Sequence, residues 1–205
     1  LAWQTEQLKR KGIKVHLGTE FTKETFEQLK PDTVILATGS VPVKPNIPGI
    51  NNKNVVIAQD VLKGMAEIGP RILVAGGGLI GAETASFCAS RGFEVAIVEK
   101  QSDIAVEEEM TRRGFLLELL NDKKVNMMVN TTIVEIKENA AVLERDGQRF
   151  EYPMDTLILA LGMESDNKLE KVLSDHAKVI IIGDAVEPRD AVQATREGYV
   201  AGVSV

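Results

Sequence analysis

Three glycines and one acid carry the clearest chemistry in this chain. Gly76, Gly78 and Gly81 stand in the run Arg71-Ile-Leu-Val-Ala-Gly-Gly-Gly-Leu-Ile-Gly-Ala-Glu83, spaced GxGxxG between an apolar segment of strand length and a segment of helix formers. At such a turn the first glycine makes the tight bend, the second lets a pyrophosphate approach the backbone, and the third lets helix and strand pack closely. A helix opening at Leu79 and Ile80 then offers free N–H groups and a partial positive charge to an anion. The next apolar segment, Val95–Val98, ends at Glu99, 18 residues after Gly81. An acid there accepts hydrogen bonds from ribose hydroxyls. A glycine turn can serve packing alone and a strand-end acid can simply be solvated, but the two signals in this order point to a dinucleotide. The carboxylate of Glu99 repels a 2′-phosphate, so NAD is favoured over NADP. Lys100 follows directly and is placed to soften that preference.

Those residues need a strand–helix–strand unit to position them, and the chain supplies one. From Arg71 the pattern alternates strand, helix, strand, helix, strand: Ile72–Ala75, Leu79–Ser90, Glu94–Val98, Met110–Leu120, Val125–Val129. Thr131–Ile136, Ala140–Arg145 and Arg149–Tyr152 then read as an antiparallel meander, with Asp146-Gly147 as a hairpin turn. Thr156–Leu161 is a further strand, and Leu169–Leu173, Val179–Ile182 and Ala191–Val205 follow as helix, strand and helix. Ahead of Arg71, the pattern predicts a helix over Leu1–Lys11, a short strand at Ile13–Leu17, a helix opened by Thr22, and a strand at Thr33–Ala37. Pro42, Pro45, Pro48 and Gly49 mark a connector, and Asp60 is placed to cap a short helix through Met65. The alternation predicts an α/β fold with doubly wound, Rossmann-like parallel sheets.

Composition narrows the classes. The 205 residues carry 24 basic and 30 acidic side chains, a net charge of −6, which argues against a nucleic-acid surface. Hydrophobic residues at 44% and charged ones at 26% describe an ordinary globular chain. No apolar run has the roughly 18 residues needed to span a bilayer. Cys88 is the single cysteine, which excludes an internal disulfide, a CxxC redox pair and a cysteine-rich metal site, and only His16 and His176 could serve as imidazole ligands. A cytoplasmic protein with no bound metal, no nucleic-acid partner and no membrane partner is expected. Neither terminus reads as a natural boundary, so the chain is expected to be part of a longer polypeptide.

Two further glycine turns complete a pattern. Val34-Ile-Leu-Ala37-Thr38-Gly39-Ser40 and Val179-Ile-Ile-Ile-Gly183-Asp184-Ala185 each end an apolar strand in a glycine turn, where a sheet opens its ligand crevice. Ala37-Thr38-Gly39-Ser40, followed by Pro42, Pro45 and Ile47-Pro48-Gly49-Ile50, resembles the ATG stretch of flavoproteins with two dinucleotide-binding domains. Leu159-Ala160-Leu161-Gly162 looks like the second, degenerate turn of that type, and Ile182-Gly183-Asp184 resembles the flavin-ribityl motif. The tail from Gly183 through Pro188-Arg189, Glu197-Gly198-Tyr199 and Ala201-Gly202 is similar to the 2,4-dienoyl-CoA reductase/2-enoate reductase group of NADH:flavin oxidoreductases.

That resemblance implies an FAD domain, residues 1–69 and 164–205, interrupted by an inserted NAD domain, residues 70–163. Gly76, Gly78, Leu79, Ile80, Gly81, Glu83, Glu99 and Lys100 would bind NADH, with Glu83 near the nicotinamide. Ala37, Thr38, Gly39, Gly183 and Asp184 would line the FAD. The glycine loop that holds the FAD pyrophosphate in this group has no counterpart here, so the FAD site is incomplete and these residues alone are expected to be inactive. The group also implies an N-terminal barrel carrying FMN and an iron–sulfur cluster, a partner domain that would reduce a small-molecule substrate such as an activated alkene. A related NADH oxidase or ferredoxin reductase without the barrel, and a dinucleotide module without turnover, are the alternatives.

The remaining reactive residues have plainer readings. Glu83 could equally be a helix-start carboxylate favoured by the dipole. Cys88 is expected inside a helix–sheet interface, Met127 and Met128 in a core strand, and Trp3 against a domain beyond this chain. Glu107-Glu108-Glu109 is expected to be a solvated helix start rather than a metal cluster, and both histidines are expected to be structural or solvated.

Overall fold

The computed structural model describes residues 2–205. Its elements, in chain order, are α1 (Ala2–Arg10), α2 (Lys23–Leu29), β1 (Thr33–Leu36), β2 (Ser40–Pro42), β3 (Val55–Ile57), α3 (Ala58–Leu62), β4 (Arg71–Ala75), α4 (Leu79–Ala89), β5 (Glu94–Val98) and α5 (Met110–Asp122). They continue with β6 (Asn126–Met128), β7 (Thr132–Ile136), β8 (Ala140–Arg145), β9 (Gln148–Pro153), β10 (Thr156–Leu159), β11 (Met163–Ser165), α6 (Glu170–Leu173), β12 (Lys178–Ile181) and α7 (Ala191–Val203). They fall into two compact units, one of residues 39–166 and one formed by the segments on either side of it.

The continuous unit is built on a parallel five-stranded sheet of order β3-β10-β4-β5-β6. Leu73 of β4 lies between Leu157 of β10 and Ala96 of β5. Alternate side chains of a strand point to opposite faces, and both faces here are covered. Ile72, Val74, Ile97 and Ile158 pack with Ala82, Ala85 and Cys88 of α4. Leu73, Ala75, Ala96 and Leu157 pack with Ala141 and Leu143 of β8. Burial on both sides is why Ile72–Ala75 reads as an unbroken apolar run rather than an alternating one. The antiparallel sheet β7-β8-β9 covers the second face. Its β8–β9 hairpin turns at Asp146 and Gly147, both left-handed, with φ 53° and 75°, the pair of positive angles a tight primed turn demands.

The discontinuous unit pairs β1 with β12 in parallel, Thr33 opposite Lys178 through Leu36 opposite Ile181. Phe26, Leu36 and Leu173 form its small core. The Thr22 hydroxyl caps α2 by accepting from the Thr25 N–H at 3.4 Å, and the Asp190 carboxylate caps α7 by accepting from the Gln193 N–H at 2.9 Å.

Three expectations are corrected. Ile13–Leu17 forms no strand; the segment runs between left-handed turns at Gly12 and Gly18 with its apolar side chains exposed. Helix α3 is capped by Ile57 without a side-chain bond, and Asp60 sits inside the first turn. The proline stretch is more than a connector: β2 pairs with β11, Ser40 opposite Ser165, and β3 extends the large sheet beside β10. The compact unit around the glycine turn runs from Gly39 to Asp166. The physical reason is that Ile47, Ile50, Val55 and Ile57 bury against the same core as Leu157 and Leu159.

Candidate functional site

The glycine turn leaves the carboxyl end of β4 and enters α4. Gly76 has φ +101°, and a β-carbon there would run into the carbonyl oxygen of Ala160 just beyond β10. A β-carbon on Gly81 would in turn strike the carbonyl oxygen of Gly76. Both positions exclude any side chain, and α4 is pressed against the sheet along a face of small residues, Gly81, Ala82, Ala85 and Cys88. Thr84, fully buried, satisfies its hydroxyl by donating to the Ile80 carbonyl at 2.7 Å.

Glu99 sits at the carboxyl end of β5 with 8% of its surface exposed. One carboxylate oxygen accepts from the Gly77 N–H at 2.6 Å and the other from the Gln101 N–H at 2.8 Å. Each oxygen keeps a second lone pair, so the carboxylate can brace the glycine turn and still accept from a ribose. A cleft of about 790 Å³ opens over the carboxyl ends of β4, β5 and β10. Gly76, Gly78, Leu79, Ile80, Glu99 and Lys100 all line it, and Val43, Pro45, Ile47 and Leu161 supply apolar wall. Crevices at the carboxyl ends of parallel strands are where open α/β sheets take ligands.

Glu83 does not join this group. It is exposed on the second turn of α4 and is not part of the cleft lining. Sequence reading missed Glu107. The loop before α5 folds back on the turn, with the Ala105 N–H donating to the Gly77 carbonyl at 2.7 Å and Ile104 buried beside Gly77. That brings a Glu107 carboxylate oxygen to 2.5 Å from the Leu79 N–H. A run of three acids before a helix has the local look of a solvated start, and only the fold reveals the contact. Glu109 does cap α5, accepting from the Thr111 and Arg112 N–H groups at 3.0 and 3.2 Å, which holds its carboxyl below the usual range. Among the described residues no cluster of His, Cys, Asp and Glu is arranged to hold a metal ion.

The second set of residues lies in the discontinuous unit. Ala37 and Thr38 follow β1, and Gly183-Asp184 begin a 3-10 turn after β12. The Ile182 N–H donates to the Leu36 carbonyl at 3.0 Å, so both turns leave the carboxyl end of one parallel pair. Glu197 of α7 fixes the later turn: it accepts from the Gly183 N–H at 2.7 Å and from the Arg189 guanidinium at 2.5 Å. The Gly183 amide first, and Arg189 after it, hold the Glu197 carboxyl below the ordinary glutamate range. Asp184 accepts from the Arg189 N–H at 3.2 Å. Gly39 belongs to the other unit, where its carbonyl accepts from the Asp166 N–H at 3.0 Å. Cys88 is wholly buried, and burial pushes its thiol upward. His16 is exposed, and the exposed His176 packs its ring 6.0 Å from that of Phe26.

The model of the pyridine nucleotide-disulphide oxidoreductase family matches residues 4–198. The chain belongs to that family. It is 34% identical over 96% of its length to an NADH oxidase of Thermoanaerobacter brockii and 32% identical over 98% to a bilirubin reductase of Mediterraneibacter gnavus. Among solved structures, a 2-naphthoyl-CoA reductase in complex with 2-naphthoyl-CoA superposes with a TM-score of 0.87, at 31% identity over 99% of this chain. The chain spans 31% and 32% of the two curated relatives and 31% of the solved chain. It is thus an FAD/NAD-binding oxidoreductase region homologous to NADH oxidases and enoate-type reductases. These 205 residues contain a single cysteine, Cys88, which is buried in α4. No helix of the described residues is long and apolar enough to cross a membrane.

Proposed function

We propose that the chain is the pyridine-nucleotide-handling region of an NADH-dependent flavin oxidoreductase that passes hydride from NADH to FAD. The observation that carries this reading is the cleft over Gly76, Gly78 and Glu99, edged by a braced carboxylate at a turn that Gly76 and Gly81 keep free of side chains. Leu79 and Ile80 would present the α4 amides to the pyrophosphate, Glu99 would accept from the adenine ribose, and exposed Lys100 would stand beside it. Ala37, Thr38, Gly183 and Asp184 would line part of the FAD, with Glu197 positioning the Gly183 turn. Bound together, the nicotinamide and the flavin would supply the hydride chemistry; the protein's task is to orient them and exclude water.

In a longer, cytoplasmic chain, the electrons would go forward to an N-terminal barrel with FMN and an iron–sulfur cluster, and then to a small-molecule substrate. Calorimetric titration of the chain with NADH and NADPH tests the reading. NADH should bind more tightly, because a 2′-phosphate beside Glu99 is repelled. Equal or tighter binding of NADPH overturns the Glu99 assignment, and absence of binding by either overturns the site.

A further inference from the structure

Of the acids between Glu99 and α5, all but one pair with an arginine or cap α5. Asp103 pairs with Arg113 at 2.5 Å, Glu108 pairs with Arg112 at 3.5 Å, and Glu109 caps α5. Glu107 has no cationic partner among the described residues; what it holds is the N–H of Leu79, the first residue of α4. That amide is one of the unsatisfied donors of a helix N-terminus, and it faces the cleft that would take the dinucleotide. The same carboxylate oxygen stands 2.8 Å from where a β-carbon of Gly78 would be, so it fills the space this glycine leaves open beside the turn. A carboxylate is thus already seated where an incoming phosphate oxygen would be received.

Resting on the dinucleotide reading above, we propose that Glu107 is an internal competitor for the pyrophosphate, and that this sets a threshold for what may enter the site. The loop carrying it is fastened to the turn through Ala105 and Ile104, so the carboxylate is held at the Leu79 N–H. A ligand with a pyrophosphate must displace it and then share the neighbourhood with a released negative charge. A ligand that offers only a nucleoside leaves it in place. The competitor therefore lowers affinity for pyrophosphate-bearing ligands selectively and leaves adenosine recognition at Glu99 untouched.

The test is a titration of wild type, Glu107→Ala and Glu107→Gln with NADH, ADP and adenosine. Glu107 is exposed, so both variants should melt like wild type. Glu107→Ala should bind NADH and ADP about tenfold more tightly, roughly 1.4 kcal/mol, with adenosine unchanged. Glu107→Gln should fall between, because its amide oxygen can still accept from Leu79 without carrying charge. Wild type that binds NADH while Glu107→Ala binds it no better overturns the competitor and leaves the dinucleotide reading standing. Equal tightening for adenosine also overturns it. Failure of wild type and both variants to bind NADH or ADP overturns the dinucleotide reading and the competitor together.

Discussion

Removing the Glu99 side chain should weaken the protein before any ligand is added. In Glu99→Ala the Gly77 N–H loses its acceptor within a buried turn. Leaving a buried donor unsatisfied costs about 1–3 kcal/mol, and the lost bond was to a charged group. The Gln101 N–H is in an exposed residue and can turn to water, so its share is small. The expected loss is about 2–3 kcal/mol, or on the order of 10 °C in melting temperature for a unit of this size. A residue that served the cofactor alone would change apo stability by less than about 0.5 kcal/mol. The assay is a melting curve with and without NADH. Wild type at about 100 times its dissociation constant should gain roughly 2.7 kcal/mol, and Glu99→Ala should gain much less. An apo variant melting within about a degree of wild type refutes the bracing role, and an undiminished NADH gain refutes the ribose contact. Glu99→Arg, the natural exchange for reversing cofactor preference, should unfold more readily still, because it places a guanidinium against two N–H donors.

The Cys88 thiol, buried and pushed upward by that burial, should label slowly in the native protein and quickly after denaturation; fast native labelling with loss of NADH binding would restore a redox role. For Glu197, the folded carboxyl lies below its unfolded value of about 4.3, so its stabilising effect is full above that value and disappears as pH falls through the lower folded one. The melting difference between wild type and Glu197→Gln should therefore be widest near neutrality and close below about pH 4; a gap unchanged down to pH 3 counts against the linkage.

The strand–helix–strand unit from Arg71 to Val98 was legible because each of its devices is local: a two-faced apolar strand, a glycine turn, and a helix of small residues. The Asp146-Gly147 hairpin was legible for the same reason. What escaped depends on distant pairing. Nothing near Ser40 announces that it will face Ser165, and the three-residue β3 is a strand only because β10 offers it an edge. Ile13–Leu17 has the residue types of a strand, yet the fold gives its backbone no ladder. At the site, residue type exposed Glu99 because an acid at a strand end has a fixed relation to the turn before it. Glu107 and Glu197 had no such relation, since a loop folding back and a helix 14 residues on bring them to their partners.

The pairing of Ser40 with Ser165 bears on how the chain is made. It zips the two ends of the continuous unit together, and the Gly39–Asp166 hydrogen bond closes the last gap. Strand β1 leaves the ribosome long before β12, its only ladder partner among the described residues. At about 5–20 residues per second, the roughly 140 intervening residues keep it waiting on the order of ten seconds. Over that interval the continuous unit can complete itself, and by doing so it turns a long loop into a short one. The entropy of bringing β1 to β12 is then set by the few residues outside the zip rather than by the whole insert. Weakening β2 or β11 should therefore slow assembly of the discontinuous unit even though neither strand belongs to it.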